Sequence, residues 1–402
     1  MFYRQPRYFG EFQCIGSDCP DNCCYGWRID WKKDEIEKVK NAENISPELK
    51  ELVENSFVPI NEERSIYMIK FPKSQKCPFQ TDEGLCKIQR ELGAEYLSYT
   101  CTIYPRCNIL AENAIYNCCY MSCPVVQKKL MNDERSMDMI NIPMKSDIVS
   151  SFTVANSAEK CQAYPELNHR GLLLDFFYDL ISDKKIPLET AIILGALVAQ
   201  KLTDIVAHKE YDRIPEALKA FRKQFHNAAQ LKAIENIKPN YYLKFGFLAQ
   251  VIEKIVENGA TVLLRDETGT LNIDMYNKGE CRLAETLKGR EFFLRNLALN
   301  LLFEFAVPFK FEEKTIFENY SLFVTAFGCL KLNLIAVCST EKGINFRTYE
   351  QVFNYTGDDK LIGMSAIISR GICQASGKAK TIIDCLNDNK FTTPAYLALL
   401  VK

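Results

Sequence analysis

Cysteine crowds one end of this chain. Of its 17 cysteines, 11 lie at or before Cys123, and "CIGSDCPDNCC" packs four of them between Cys14 and Cys24. The others in that region are Cys77 and Cys86 in "CPFQTDEGLC", Cys101 and Cys107 in "TCTIYPRC", and Cys118, Cys119 and Cys123 in "NCCYMSC". Pro20, Pro59, Pro72, Pro78, Pro105 and turns such as "DEG" punctuate the same stretch, which rules out long regular elements there. The expectation is a small, loop-heavy metal domain with short helices and a short hairpin. The opening "MFYRQPRYFG" has no apolar run of the secretory kind. The longest apolar stretch, "AIILGALVAQKL", reads as too short to span a bilayer. A cytoplasmic chain without membrane insertion is expected, and in that compartment dense thiols hold metal or do redox chemistry rather than form disulfides. A net charge of −1 gives no basic balance for nucleic acid.

The spacing limits the ligand chemistry. It lacks the paired C-x2-C of a zinc ribbon, and no histidine precedes His169. Any metal here is held by thiolate, with a carboxylate or an outside ligand in addition; iron–sulfur clusters and zinc held by four thiolates both fit. Cys19 and Cys23 are four apart, as are Cys119 and Cys123, so on a helical turn each pair shares a face. The adjacent Cys23 and Cys24 diverge in regular structure, which argues against both ligating one iron. Cys161, Cys281, Cys329, Cys338, Cys373 and Cys385 stand singly in apolar segments and read as small buried hydrophobes. The lone His169, His208 and His226 read as solvated or satisfied side chains.

With 402 residues and 47% apolar content, two domains are expected, 1–135 holding the cysteines and 136–402 mostly helical. Ser46-Pro47 reads as an N-cap followed by proline in the first turn. "RSIYMIKF" alternates as a short strand does. "CKIQRELGAEYLS" has helical spacing, with Gly93 against it. "MDMINIPMKSDIVSSFTV" reads as a connector with some strand. From His169 the pattern is nearly all helix: "GLLLDFFYDLISD", then "PLETAIILGALVAQKLTDIVAH", then "YYLKFGFLAQVIEKIVENG" with Gly259 as its terminating glycine. "REFFLRNLALNLLFEFAVPF" and "IFENYSLFVTAFGCLKLNLIAVC" are apolar on most sides, as at the centre of a bundle. The fold class expected is mainly α.

"CIGSDCPDNCCYGWRID", "CPFQTDEGLCKIQRELGAEYLSYTC", "YPR" and "SCP", in that order, resemble the flagellin lysine-N-methylases. The helical half echoes the same family. The resemblance implies methylation of lysine ε-amines on flagellin, with S-adenosylmethionine as donor and a cysteine-ligated [4Fe–4S] cluster. The family's cysteine positions match Cys14, Cys19, Cys23, Cys24, Cys77, Cys86, Cys101 and Cys123. Cys107, Cys118 and Cys119 fall outside that pattern and read as packing, extra ligands or a second site. Two departures stand out. The C-x3-C-x2-C triplet of radical S-adenosylmethionine enzymes is absent, Cys14, Cys19 and Cys23 being spaced C-x4-C-x3-C. There is also no glycine-rich strand–turn–helix to cradle a nucleoside.

Methylating lysine requires a neutral amine, an in-line sulfonium and exclusion of water. Tyr104 and Arg106 of "YPR" are the candidates for a catalytic part, the competing reading being that they shape the turn after Cys101. The cluster either takes part in donor cleavage or is structural. The competing function is a non-catalytic protein whose cysteines hold zinc or a cluster as a staple or redox sensor.

Overall fold

The computed structural model describes residues 1–402 except 26, 62, 75, 145–154, 156, 257–258, 342–343, 349–350, 356 and 375–376, with backbone only for 344–348, 351–355, 373 and 374. The molecule is mainly α-helical, as the patterning predicts. Its longest helix, Ile316–Cys338, opens on a capping box: Glu318 N–H donates to Thr315 Oγ1 at 3.1 Å and Thr315 N–H to Glu318 Oε2 at 2.9 Å. Every residue of this helix except Glu318 and Lys331 is buried. Leu188–Ala207, Tyr241–Ile255, Ile273–Thr286, Phe292–Glu304, Asp359–Ser369, Lys378–Asp388 and Pro394–Val401 surround it. Gly279 lets Ile273–Thr286 approach closely, for a Cβ there would collide with the Ile335 carbonyl oxygen. By length and composition alone, Leu188–Ala207 and Ile316–Cys338 could each cross a membrane, which corrects the reading of the first as too short. Yet 94% of the apolar window in Ile316–Cys338 lies inside the protein, so its hydrophobicity is that of a core helix.

Several local expectations hold. Ser46 caps Pro47–Asn55 by accepting from Leu49 N–H at 3.1 Å. Ile66–Ile69 is a strand, and Lys87–Leu92 stops at Gly93, whose φ is 106°. Gly259 does not end its helix. Tyr241–Ile255 closes earlier, and Gly259, at φ −68°, opens the next short turn. Of the six scattered cysteines, Cys329, Cys338 and Cys385 are buried, whereas Cys161 is half-buried and Cys281 exposed; Cys373 lies outside the described side chains.

Among the described residues, nine strands form three small sheets. β1 (Phe2–Pro6) runs parallel to β6 (Ala114–Cys119) and antiparallel to β7 (Met139–Pro143), while β5 (Arg106–Leu110) pairs antiparallel with β6. β2 (Asp30–Lys32), β4 (Ile66–Ile69) and β3 (Phe57–Asn61) make the second sheet in that order. β8 (Ile344–Thr348) and β9 (Gln351–Tyr355) are a hairpin. The connector contributes β7, and the rest of it, 145–154, lies outside the described residues. Because β1 sits between β6 and β7, the N-terminal residues belong with the helical body.

The buried apolar residues gather into two cores. A small core of Ile29, Trp31, Ile36, Val39, Leu49, Val53, Ile69, Cys77, Phe79 and Ile88 stands apart. The large core takes Tyr8 and most of the apolar residues buried from Cys107 to Val401. The small core is an excursion between the first helix, Arg7–Gly10, and β5.

A buried polar seam ties the sheet to the bundle. Asn296, Asn300 and Glu304 recur every four residues on one face of Phe292–Glu304, all at most 3% exposed. Asn296 Nδ2 donates to Leu130 O at 2.9 Å and to Ser136 Oγ at 3.0 Å. Asn300 Nδ2 donates to Cys119 O at 2.9 Å, and Tyr8 Oη accepts from Cys119 N–H at 2.8 Å. These bonds satisfy backbone groups that burial has cut off from water.

Lys244 is buried at the far end of the bundle, donating to Tyr276 Oη at 2.8 Å and Lys402 O at 3.1 Å. Burial lowers its pKa to about 8, against ~10.4 in an unfolded chain. Between those values the unfolded chain binds the extra proton, so stability rises with pH from about 8 to about 10.4, by at most about 3 kcal/mol. Urea midpoints at pH 7.5 and pH 10 check this: the contribution disappears in Lys244→Met.

Candidate metal centre

The structure brings all eight matched cysteines into one neighbourhood between the two cores. Cys14 lies exposed on the loop after Arg7–Gly10, accepting from Gly16 N–H at 3.4 Å. Cys19 follows the short turn Gly16–Asp18 in extended conformation, its thiol donating to Asp21 O at 3.3 Å. Cys77 is tied to the first loop by its N–H donating to Cys24 O at 2.9 Å. Cys86 precedes helix Lys87–Leu92, and Cys123 precedes helix Pro124–Asn132. Their sulfurs accept from backbone N–H groups of the first turn, Ile88 and Gln89 for Cys86, Val125 and Val126 for Cys123. Cys101 sits in Tyr99–Ile103, where Ser98 Oγ accepts its N–H at 3.1 Å.

Cys23 is the common neighbour. It lies within electrostatic reach of Cys19, Cys24, Cys77, Cys86, Cys101 and Cys123, and Cys14 joins through Cys123. Cys24, Cys77, Cys86 and Cys101 pack on or within the small core. Cys123 belongs to the large core, with Cys14 and Cys19 on its side of Cys23. Neither four-residue pair lies on one helix, so the helical route to a shared face is corrected: a loop joins Cys19 to Cys23, and Cys119 ends β6 while Cys123 precedes a helix. The adjacent pair also differs from expectation. Cys23 and Cys24 fall in an irregular loop, and their thiols hydrogen-bond to each other.

Burial pushes Cys19, Cys77 and Cys101 up to about 12 and Cys123 up to about 11, and neighbouring thiols add to each rise. In the Cys23–Cys24 pair the shared hydrogen bond lowers Cys23 and raises Cys24. Cys19, Cys77, Cys101 and Cys123 are therefore protonated at neutral pH, so a metal that binds them displaces protons. The donor set suits a thiophilic iron or zinc centre by its chemistry. Among the described residues, however, no three His, Cys, Asp or Glu side chains stand ready to hold a metal ion. The fold supplies the donors and their neighbourhood, not a closed ligand shell.

Cys107, Cys118 and Cys119 stand apart from this set. Cys107 and Cys118 face each other across β5 and β6, with thiols hydrogen-bonded. All three are at most 1% exposed in the large core.

Tyr104 lies within reach of Cys23 and Cys123, and burial holds its phenol well above the usual range. Its hydroxyl meets Ser122 Oγ at 3.0 Å, and its ring lies 5.1 Å from that of Trp27. That ring contact spans the two cores. Arg106 instead lies over the Phe12 ring at 5.1 Å and pairs across the sheet with Cys119.

Two groups here went unnoticed in the sequence. Asp21, between Cys19 and Cys23, is 2% exposed. Arg370 Nη2 reaches its Oδ2 at 2.7 Å from the start of a π-helical turn, Arg370–Gln374. Burial raises the Asp21 pKa and Arg370 pulls it back. The flanking "CPDNCC" was a signal for Asp21; nothing in "SRGICQ" marks Arg370.

Arg370 and Glu304 both fall within residues 174–400, which match the FliB lysine N-methylase C-terminal domain. The chain belongs to the FliB lysine N-methylase family. A lysine-N-methylase of Salmonella typhimurium is 26% identical to it over 329 residues, 76% of this chain and 78% of that protein. A lysine-N-methylase of Salmonella choleraesuis matches to the same extent. The flagellar biosynthetic protein FliU of Salmonella muenchen is 30% identical over 135 residues, 33% of this chain and 79% of that protein. No solved structure matches. In this FliB-family chain the eight gathered cysteines lie outside the matched domain, and Arg370, which reaches Asp21 among them, lies inside it.

Proposed function

We propose that this protein methylates the ε-amine of lysines in flagellin, with S-adenosylmethionine as donor, in the cytoplasm before export. The observation that carries the reading is the meeting of eight cysteines from separate segments around Cys23, in a chain whose relatives are named lysine-N-methylases. Cys14, Cys19, Cys23, Cys24, Cys77, Cys86, Cys101 and Cys123 are the thiols among which a [4Fe–4S] cluster would find its ligands, more than the four it can take. Such a cluster would supply one-electron chemistry. The chain's own residues set the rest. The Trp27 and Tyr104 rings offer aromatic faces to a sulfonium. Tyr104 and Ser122 close the floor towards the large core. The lysine attacks as its free amine: nitrogen gains the methyl group, the carbon–sulfur bond breaks, the donor leaves as a thioether, and one proton is released.

The test is methyl label on cognate unmethylated flagellin, with anaerobically purified, reduced enzyme whose iron and sulfide are counted. Label on lysine with about four iron and four sulfide per chain is expected. No label under those conditions overturns the reading.

A second reading has its own observation. Cys24, Cys77, Cys86 and Cys101 adjoin a core of only ten residues, and small cores often need a metal staple. Colourless protein with about one zinc per chain and no iron favours a non-catalytic zinc role for this group.

A further inference from the structure

Asp21 carries an unexplained atom. Its side chain is fully buried, with Oδ2 held by Arg370 at 2.7 Å, while Oδ1 has no hydrogen-bond partner among the described residues. A buried carboxylate oxygen without a donor is costly, and native proteins rarely leave one without a use. Arg370 fixes the carboxylate from the opposite oxygen, so Oδ1 is presented in one orientation. Around it lie Cys19 and Cys23, and Cys23 keeps an open face to solvent. The Tyr104 phenol, paired with Trp27, also lies within reach of Arg370 and Cys23. An anionic acceptor beside aromatic rings is the environment that recognises an organic cation bearing N–H groups.

We propose that Asp21 Oδ1 receives a primary ammonium group, with Arg370 as the positioning residue that aims it. The inference rests on the methylation reading, which supplies two sources of that group: the α-ammonium of the donor's methionine moiety and the ε-ammonium of the target lysine before it loses its proton. Asp21 binds and orients the ligand, and no proton transfer to it is invoked.

Equilibrium binding tests this without turnover. The probes are S-adenosylmethionine, S-adenosylhomocysteine, 5′-methylthioadenosine, which lacks the amino-acid moiety, and a lysine-containing flagellin peptide. The proteins are wild type, Asp21→Asn and the double variant Asp21→Asn/Arg370→Gln, compared at equal iron content. Losing one charge-assisted hydrogen bond to a buried acceptor weakens binding about tenfold or more. If S-adenosylmethionine and S-adenosylhomocysteine, which keeps the ammonium but not the sulfonium, weaken in both variants while 5′-methylthioadenosine does not, the donor's ammonium is the ligand. If the peptide alone weakens in both, the lysine is. The double variant removes both buried charges together, so recovery of wild-type affinity in it would mean that Asp21 only neutralises Arg370, and the proposal falls. It also falls if neither variant changes any affinity, while the methylation reading stands. Wild type that binds neither donor nor peptide overturns both.

Discussion

Serine at Cys24, Cys77, Cys86 or Cys101, introduced singly, is expected to remove most bound iron and to lower methyl transfer at least tenfold. Alanine at Cys107 or Cys118 is expected to leave the iron count unchanged. The contrast follows from where the two sets lie. The first four thiols surround Cys23 at the edge of the small core, and serine offers a hard oxygen that keeps its proton where a soft thiolate is needed. The other two face each other inside the large core, at most 1% exposed. Alanine there costs only the packing of a small side chain, about 1 kcal/mol. Iron and sulfide per chain, counted beside the methylation rate, give the comparison. Equal iron loss in Cys107→Ala would refute this division of the cysteines.

The helical half was legible because its signals are local. The unbroken apolar run of Ile316–Cys338 announces a helix enclosed on all sides, and Ser46-Pro47 announces the start of a shorter one. What could not be read is long-range. Nothing near Phe2–Pro6 says that this strand pairs with β6, more than a hundred residues on. The cysteines were legible as a dense set of thiols but not as an arrangement. Regular-structure rules separate Cys23 from Cys24, whereas the irregular loop turns both thiols towards each other. Asp21 hid among the cysteines, and its partner stands 349 residues away. The line Asn296, Asn300, Glu304 was readable as polar residues at four-residue spacing in an otherwise apolar helix. Such a line either faces water or meets a buried polar surface, and only the fold decides which.

That line leads to the second large effect. Glu304→Ala is expected to destabilise the protein by about 3–5 kcal/mol and to loosen the thiol neighbourhood, although Glu304 is not part of that neighbourhood. Its Oε1 accepts from Met121 N–H at 2.6 Å and from Asn300 Nδ2 at 2.8 Å, and its Oε2 from Ser369 Oγ at 3.3 Å. Met121 is two residues before Cys123, and Ser369 immediately precedes Arg370. One carboxylate thus sets the backbone that presents Cys123 and the helix end that presents Arg370 to Asp21. Removing it leaves the buried Met121 N–H without its acceptor and takes one of two acceptors from the Asn300 amide, which keeps Cys119 O. Glu304→Gln keeps the acceptor oxygen and is expected to lose less than half as much. Urea denaturation measures the stability term. Alkylation rates of Cys19 and Cys123 in the native protein measure the other: they rise in Glu304→Ala if the carboxylate holds the centre together. Unchanged rates despite lost stability would confine Glu304 to the seam and leave Arg370 to be positioned by its own π-helical turn.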